Sequence, residues 1–361
     1  MMQRLQRGPT ASTLKRRDVL RGAGAIALAG WSTPGVRGQT ALRIALPETL
    51  FADSATLLNA KLGNHLGGAL AAAEIELVAD SQAAIAGLRE GRFAFAEIQA
   101  LDLMRVATQP GETLVSIATH SRIPLSVFGR RGRLPAEAKH FRGAKIAISG
   151  EVVDADAYLS LYLARNGVDP GRIRRLPKNR EVEALDLVLS GKVDGAVMSP
   201  GFMSFIRAAQ KQRGTDDERM GTRAYWIDTM RNPFPGPCIV AAIGASPELA
   251  AELVRALLLS ARELLAMWDA HVARDDGGSA LVERLKRAPA PTRSELRTFL
   301  WAGALALAGL WRATGDRARP LWHDPKRWND AAALVSKAGI ADIGGTADRL
   351  YTNRFVEGAS Q

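Results

Sequence analysis

The chain has 361 residues, of which 47% are apolar and 24% are charged, and this is the composition of an ordinary globular protein. Its length predicts about two domains. Its one cysteine, Cys238, excludes an intramolecular disulfide and a cysteine-based metal cluster, and its five histidines stand singly along the chain. No metal site, no cofactor and no catalytic residue are therefore predicted.

More than half of the formal net charge of +11 lies at the start of the chain. Residues 1–39 carry seven Lys or Arg and one Asp, which gives +6, so the remaining residues contribute the other +5. In that remainder, acidic and basic residues alternate without long runs of one sign. Such a surface favours solubility, and no nucleic-acid partner is predicted.

Residues 1–39 have the pattern of an export signal. The pair Arg16-Arg17 precedes a Gly- and Ala-rich run, Gly22 to Trp31, and small residues follow near Val36-Arg37-Gly38. This resembles a twin-arginine signal peptide, and a run of about ten residues is too short to span a bilayer. We expect the twin-arginine translocase as a partner during export and a soluble periplasmic protein after cleavage. The alternative is a disordered basic tail before a cytosolic domain.

The first part of the remaining chain alternates between β-type and helical patterns. Short apolar runs that end at Pro, Gly or polar residues are typical of strands, and longer runs with helical periodicity separate them. The predicted strands are 42–46, 75–78, 93–97 and 114–119, and the predicted helices are 54–73, 81–90 and 101–107.

The same alternation continues after His120. Strands are predicted at 124–129, 145–150, 173–176, 195–198 and 238–243, and helices at 154–166 and 180–189. Residues 210–223 are predicted to form a loop, and helices dominate after Pro247. The apolar stretch 299–311 has 13 residues, which is typical of a buried helix and too short for a membrane span.

This order predicts an α/β protein of two lobes, each a mostly parallel sheet flanked by helices. The chain is expected to cross between the lobes twice, near 121–128 and near 233–240. Lobe 1 is predicted to contain residues 40–122 and 237–361, and lobe 2 residues 123–236. The two crossovers would form the hinge.

Three blocks of sequence resemble a known family, the type 2 periplasmic solute-binding proteins. They are 87–95 (GLREGRFAF), 141–148 continuing to 163–170 (FRGAKIAI, LARNGVDP), and 184–196 (ALDLVLSGKVDGA), with a similar C-terminal pattern at 339–340 and 350–355. The likeness is to the branch that contains sulfonate-, nitrate- and thiamine-pyrimidine-binding proteins (the NMT1/taurine-receptor-like group).

The resemblance implies a monomeric receptor rather than an enzyme. It implies a cleft between the lobes, hinge closure over a small molecule, and delivery to the permease and ATPase of an ABC importer. One alternative is a receptor for a TAXI/TRAP-type carrier or for a sensor. Another is an enzyme like the pyrimidine synthases of the same fold, whose cysteine-rich metal motif is absent here.

The predicted ligand-binding residues lie just beyond strand ends or in the crossovers. In open α/β sheets ligands bind beyond the carboxyl ends of the strands. Three alternatives remain open: Asp80 or Ser81 as a helix N-cap, Phe51 as a loop anchor, and His120 as a hinge hydrogen-bonding residue. The predicted set is Phe51, Ser81, Glu97, Gln99, His120, Gly150, Asp154, Ser199 and Pro235.

The acidic residues of this set predict the class of ligand. Anion-binding relatives often place Ser or Thr at the start of the helix after Gly150, where free N–H groups attract the anion. This chain has Asp154 and Asp156 there, and Glu48, Asp53 and Glu97 in nearby segments. We expect Asp154 to cap the N–H groups itself and to repel an anion. The ligand is therefore predicted to be neutral or cationic.

Overall fold

The computed structural model describes residues 42–47, 54–109, 111–120, 125–130, 133–134, 137–150, 154–198, 222–226, 234–242, 244–274, 319–344 and 347–360. The predicted export signal, the apolar stretch 299–311, Phe51 and Ser199 lie outside the described residues.

Ten strands and eight helices form the described part of the fold. The strands are β1 (Arg43–Pro47), β2 (Glu74–Val78), β3 (Phe95–Ile98), β4 (Val115–Thr119), β5 (Ser126–Arg130), β6 (Lys145–Ser149), β7 (Arg174–Lys178), β8 (Gly195–Met198), β9 (Thr222–Trp226) and β10 (Cys238–Ala241). The helices are α1 (Ala55–Leu62), α2 (Ser81–Arg89), α3 (Ala100–Val106), α4 (Ala155–Arg165), α5 (Glu181–Leu189), α6 (Pro247–Arg274), α7 (Pro325–Lys337) and α8 (Arg354–Ser360).

The strands form two separate sheets of five strands. The first sheet has the order β2-β1-β3-β10-β4 and the second β7-β6-β8-β5-β9. The chain leaves the first sheet between β4 and β5 and returns to it between β9 and β10. The predicted α/β class with two sheets flanked by helices is confirmed.

Both faces of the first sheet are buried, which explains its almost continuous apolar strands. Ile44 and Ile239 pack with Leu57 of α1 and Leu257 of α6 on one face. On the other face the apolar side chains of α2 and α3 pack with Ala96, Cys238 and Val240. Burial on both sides holds the sheet rigid where its strands end.

The second sheet is also covered on both faces. Phe128, Ala147 and Ala196 pack with Val188 of α5 in one cluster. Val127, Ile146 and Val197 belong to a larger cluster that contains Tyr158 and Leu159 of α4. That cluster also contains Leu101 and Met104 of α3, so its apolar side chains continue from one sheet's helix layer to the other's.

Four of the five strands in each sheet run in the same direction, as predicted for mostly parallel sheets, and one strand runs against them. The pairs β1–β2, β1–β3, β6–β7 and β6–β8 are parallel. The pairs β10–β3, β10–β4, β5–β8 and β5–β9 are antiparallel. The reason is that β5 and β10 are the strands by which the chain enters each sheet from the other, and both run against their neighbours.

Two predicted boundaries are wrong. Residues 210–223 were predicted to form a loop, but Thr222 and Arg223 begin β9, which pairs with β5. The predicted helix 54–73 ends at Leu62 and is followed only by a short 3₁₀ turn, Gly68–Leu70. Gly63, Gly67 and Gly68 explain the early end, because glycine is a poor helix former.

A pair of glycines in the second sheet gives a prediction about stability. Gly129 of β5 lies opposite Gly195 of β8. A Cβ atom on Gly129 would lie 2.5 Å from the Asp194 carbonyl oxygen and 2.6 Å from the Leu134 Cβ. We therefore expect Gly129→Ala to lower the free energy of unfolding by about 1–2 kcal/mol.

Urea unfolding followed by circular dichroism would measure this change. The matched control is Gly358→Ala in α8, where a Cβ atom meets nothing within 4 Å and where alanine favours the helix. Equal midpoints for Gly129→Ala and the unchanged protein would contradict the steric explanation.

Candidate functional site

The predicted binding residues of the first sheet meet at one edge. Strands β1, β2 and β3 run parallel, and β4 runs in the same direction because both it and β3 are antiparallel to β10. Ser81 follows β2, Glu97 and Gln99 lie at the end of β3, and His120 follows β4. The His120 N–H donates to the Pro237 carbonyl at 2.8 Å, so the second crossover reaches the same edge.

Glu97 and His120 form the most deeply buried pair at this edge. Glu97 is 0% exposed and His120 is 1% exposed. Their Oε1 and Nε2 atoms are 3.3 Å apart, but this contact lacks hydrogen-bond geometry. Both carboxylate oxygens and both ring nitrogens are without a hydrogen-bond partner in the described part of the chain.

Ser81 and Asp80 have different roles at the start of α2. The Asp80 side chain accepts a hydrogen bond from the Ala83 N–H at 2.9 Å and caps the helix. Ser81 is buried, and its Oγ accepts from the Gln99 N–H at 3.3 Å. The Gln99 Oε1 is buried and unpartnered among the residues described. Ser81 thus fixes the main chain that carries Gln99.

Asp154 does not cap the helix that it precedes, so that prediction is wrong. It has a φ angle of 56°, in the left-handed region, and its side chain makes no capping hydrogen bond to α4. Its Oδ1 accepts instead from Arg105 Nη1 at 2.7 Å. Aspartate tolerates the left-handed region better than most residues, and this geometry turns the carboxylate towards α3.

Arg105 connects two carboxylates on different parts of the fold. Its Nη1 lies 2.7 Å from Asp154 and 3.2 Å from Asp102, which is one turn earlier in α3. Burial raises the pKa of Asp102, and the nearby Asp154 carboxylate raises it further. The two carboxylates also raise the pKa of Arg105 against the effect of its burial, and the guanidinium remains charged.

Tyr158 of α4 lies close to the Asp102 and Asp154 carboxylates. Its ring packs edge-to-face on Phe234 with 5.3 Å between the ring centroids. Burial, with the charges of Asp154 and Asp102, raises its pKa well above the ordinary value. Its hydroxyl is therefore neutral, and it has no hydrogen-bond partner of ordinary geometry in the described ranges.

The remaining predicted residues are less informative. The Gly150 N–H follows β6 and donates to the Lys178 carbonyl at 2.8 Å, so it is already used within the second sheet. Pro235 is buried next to Phe234 in the second crossover. Both stay predictions, as do Phe51 and Ser199.

The sequence reasoning missed Asp102, Arg105 and Tyr158. A usable signal was present, because Asp102 and Arg105 are charged residues three positions apart in an otherwise apolar helix. That helix begins directly after Gln99, which was already a predicted binding residue. Nothing in the sequence indicated that Tyr158 would lie beside it.

The side chains of this cluster are able to form further hydrogen bonds. No group of three or more His, Cys, Asp or Glu side chains within the described residues is placed to hold a metal ion. Burial raises the pKa of Cys238 to about 12, so its thiol stays protonated and is a poor nucleophile at neutral pH. The buried atoms without a hydrogen-bond partner among the described residues include the acceptors Glu97 Oε1 and Oε2, Gln99 Oε1 and Asp154 Oδ2.

No protein-family model matches the sequence, and no curated protein matches it either. Solved structures do match. The zinc-bound ligand-binding component of an ABC-type import system from Staphylococcus aureus is 12% identical, with a TM-score of 0.57 over 89% of this chain and 99% of that one. The alkanesulfonate-binding protein SsuA from Xanthomonas axonopodis, bound to MOPS, is 12% identical, with a TM-score of 0.55 over 88% of this chain and 100% of that one.

A third structure of the same kind is the periplasmic aliphatic sulphonate-binding protein SsuA from Escherichia coli. It is 16% identical, with a TM-score of 0.54 over 88% of this chain and 93% of that one. The fold is therefore that of the two-lobed periplasmic binding proteins. The resemblance seen in the sequence is confirmed at the level of the fold.

Proposed function

We propose that the chain is a periplasmic solute-binding receptor that closes on a small molecule and delivers it to an ABC importer. The fold supports this, because the similar structures are ligand-binding proteins of such systems. In this proposal residues 1–39 direct twin-arginine export, and the lobes meet at 122/123 and 236/237. The nine predicted residues, together with Asp102, Arg105 and Tyr158, surround the ligand.

One observation carries the proposal: buried polar atoms without a hydrogen-bond partner among the described residues gather where the strands end. From the first sheet they are the side-chain polar atoms of Glu97 and His120 and the Gln99 Oε1, and from the start of α4 the Asp154 Oδ2 and the Tyr158 hydroxyl. Burying a polar group without a partner costs about 1–3 kcal/mol, and more for a charge. Such a cost is characteristic of a binding site, where the ligand supplies the missing hydrogen bonds.

The competing functions make different demands on this site. An enzyme of the same fold would use Glu97 and His120 as an acid–base pair and convert the solute, whereas a receptor would only bind it; the protonated Cys238 thiol is a poor nucleophile for either. A receptor for a TRAP-type carrier or a sensor would share the site, and the genes beside this one would distinguish it. Among the described residues, no helix is long and apolar enough to cross a membrane.

The function is tested by a solute screen on the full chain recovered after export. A solute at about 100 times its dissociation constant is expected to stabilise the protein by about 2.7 kcal/mol, read as a rise in Tm. The same solute should reduce the radius of gyration in small-angle scattering, since it closes those molecules of the ligand-free mixture that are open.

The matched control for the screen is the Lys326→Ala variant, in which an exposed ion pair with Asp330 in α7 is removed. This variant should respond to the solute as the unchanged protein does. Unchanged Tm and scattering with every solute, or conversion of a solute to a product, would contradict a receptor function.

A further inference from the structure

We infer that Glu97 and His120 form a buried anchor for a protonated amine or amidine group of the solute. This inference rests on the proposed function and names the class of ligand. It depends on one pair of side chains and on the charges that surround them, and it can fail while the receptor function stands.

Glu97 and His120 are fixed in position by the sheet, and their side-chain polar atoms have no hydrogen-bond partner among the described residues. Glu97 is the third residue of β3 and lies opposite Ile239 of β10, whereas His120 follows β4 on the other side of β10. The His120 main-chain N–H is used by Pro237. The side chains therefore remain for a ligand, and the protein fixes them at the ends of β3 and β4, the two strands that flank β10 in a buried sheet.

The geometry differs from that of a structural ion pair. Structural buried carboxylates are saturated by hydrogen bonds. Glu112 is an example in this chain: its oxygens accept from the Arg89 guanidinium and from the N–H groups of Thr113 and Leu114. Glu97 has the 3.3 Å contact with His120 and no hydrogen bond within the described residues.

The neighbouring charges select a cation. The ionisable groups beyond the strand ends form what we call the strand-end cluster. Besides Glu97, it contains the carboxylates of Asp102 and Asp154 and one guanidinium, Arg105, which contacts both of these carboxylates. The cluster thus contains three carboxyl groups and one guanidinium, so acidic groups are in excess. An anion would meet this excess at low dielectric, whereas an ammonium or amidinium would offset it and donate to the Glu97 oxygens.

His120 would recognise a second feature of the solute. Its Nε2 faces the Glu97 Oε1, so Nδ1 is the ring atom left for a hydrogen bond to the ligand. The anchor therefore fits a cation whose N–H donors reach Glu97 and which places another polar atom near His120. Alkylamines, amidines and aminopyrimidines have this chemistry.

The stability of the ligand-free protein tests the anchor without knowledge of the ligand. We expect Glu97→Gln to raise Tm by about 3–6 °C after exhaustive dialysis, because a neutral amide costs less to leave unpaired than a carboxylate. Glu112→Gln is the matched control, since it removes a saturated carboxylate and should lower Tm. A decrease for Glu97→Gln like that for Glu112→Gln would show a structural role and overturn the inference.

Calorimetric titration supplies the second arm, with putrescine, benzamidine and 4-aminopyrimidine as cationic or amine probes and with methanesulfonate and nitrate as anions. We expect an amine or amidine to bind, and Glu97→Gln to weaken it at least about 100-fold. Tight binding of methanesulfonate or nitrate, unaffected by Glu97→Gln, would overturn the ligand class but leave the receptor function in place. If none of these probes binds, the Tm of Glu97→Gln relative to that of the unchanged protein decides whether the inference stands.

Discussion

Lowering the pH from about 8 to about 4 is expected to cost the folded protein about 3 kcal/mol at one side chain, His323. This residue is 0% exposed, and burial lowers its pKa from 6.5 to about 3. In the unfolded chain the imidazole regains its ordinary pKa near 6.5. The folded state therefore resists protonation of a group that the unfolded state protonates readily.

The neighbours of His323 keep its ring neutral and fix its tautomer. Nδ1 lies 2.9 Å from the Asn353 side-chain oxygen, so Nδ1 carries the proton and donates it. Nε2 lies 2.7 Å from the Ser116 Oγ, whose hydroxyl also donates to the Ala118 carbonyl at 3.1 Å. The ring stacks on Tyr351 at 5.0 Å between centroids and packs against Trp328. A second proton on Nε2 would face the Ser116 oxygen in a buried site without a counter-charge among these neighbours.

The position of His323 makes this loss important for the whole fold. β4 is the last strand of the first sheet, and its outer edge is covered by two C-terminal segments. Leu321 accepts from the Thr119 N–H, and Thr352 donates to the Ser116 carbonyl. His323 joins both segments to β4, so its protonation weakens the cover of an edge strand.

The direction of the pH dependence follows from the lowered pKa. The contribution of His323 is complete above about pH 6.5 and is lost as the pH falls towards about 3, by about 1.4 kcal/mol per pH unit between these values. Urea unfolding at a series of pH values measures it, with His323→Gln as the variant that cannot be protonated. The free energy of unfolding of the unchanged protein minus that of His323→Gln should fall by about 3 kcal/mol between pH 8 and pH 4.

The control for general acid effects is His140→Gln, because His140 is exposed. Its stability should follow that of the unchanged protein at every pH. A constant difference between the unchanged protein and His323→Gln across the series would mean that His323 does not carry the acid sensitivity.

The architecture could be predicted from the sequence because a sheet that is buried on both faces has almost continuously apolar strands. The predicted strand 195–198 is observed at Gly195–Met198, and the predicted strand 114–119 at Val115–Thr119. Gly167, which follows the predicted helix 154–166, has a φ angle of +73° just beyond the end of α4. These features depend on neighbours in the sequence, so local patterns reveal them.

The pairing of side chains was harder to predict because it depends on distant segments. Glu97 and His120 were both predicted to face the ligand, but their contact follows from the insertion of β10 between β3 and β4. Asp154 was predicted to be a cap because aspartate is common at helix starts. Its actual partner, Arg105, is 49 residues away, and no local rule predicts that ion pair.

The ion pair between Arg105 and Asp154 gives the second prediction of a large effect, on the ratio of closed to open molecules. Arg105 belongs to α3, which packs on the first sheet, and Asp154 precedes α4, which packs on the second. The contact therefore joins the two halves of the molecule beside the proposed site. Opening the lobes would separate it, so we expect Arg105 to stabilise the closed form.

Replacing Arg105 with alanine should shift the protein towards the open form. Asp102 and Asp154 would face each other without a cation, and their side chains are only 5% and 13% exposed. Removing one partner of a buried pair costs about 3–5 kcal/mol, which we reduce to about 2–3 kcal/mol because solvent screens an Arg105 side chain that is 34% exposed. Such a change alters the ratio of closed to open molecules about 30- to 150-fold.

Small-angle scattering of the ligand-free protein would detect this shift as a larger radius of gyration for Arg105→Ala. The matched control is Arg175→Ala, since Arg175 pairs with Asp156 and Ser160 within the second half of the molecule. That variant should lose stability without opening.

A second comparison uses pH: because burial and Asp154 raise the pKa of Asp102, protonating it in mild acid should restore part of the closed population of Arg105→Ala. Identical scattering profiles for Arg105→Ala and the unchanged protein at neutral pH would show that the ion pair does not hold the halves together.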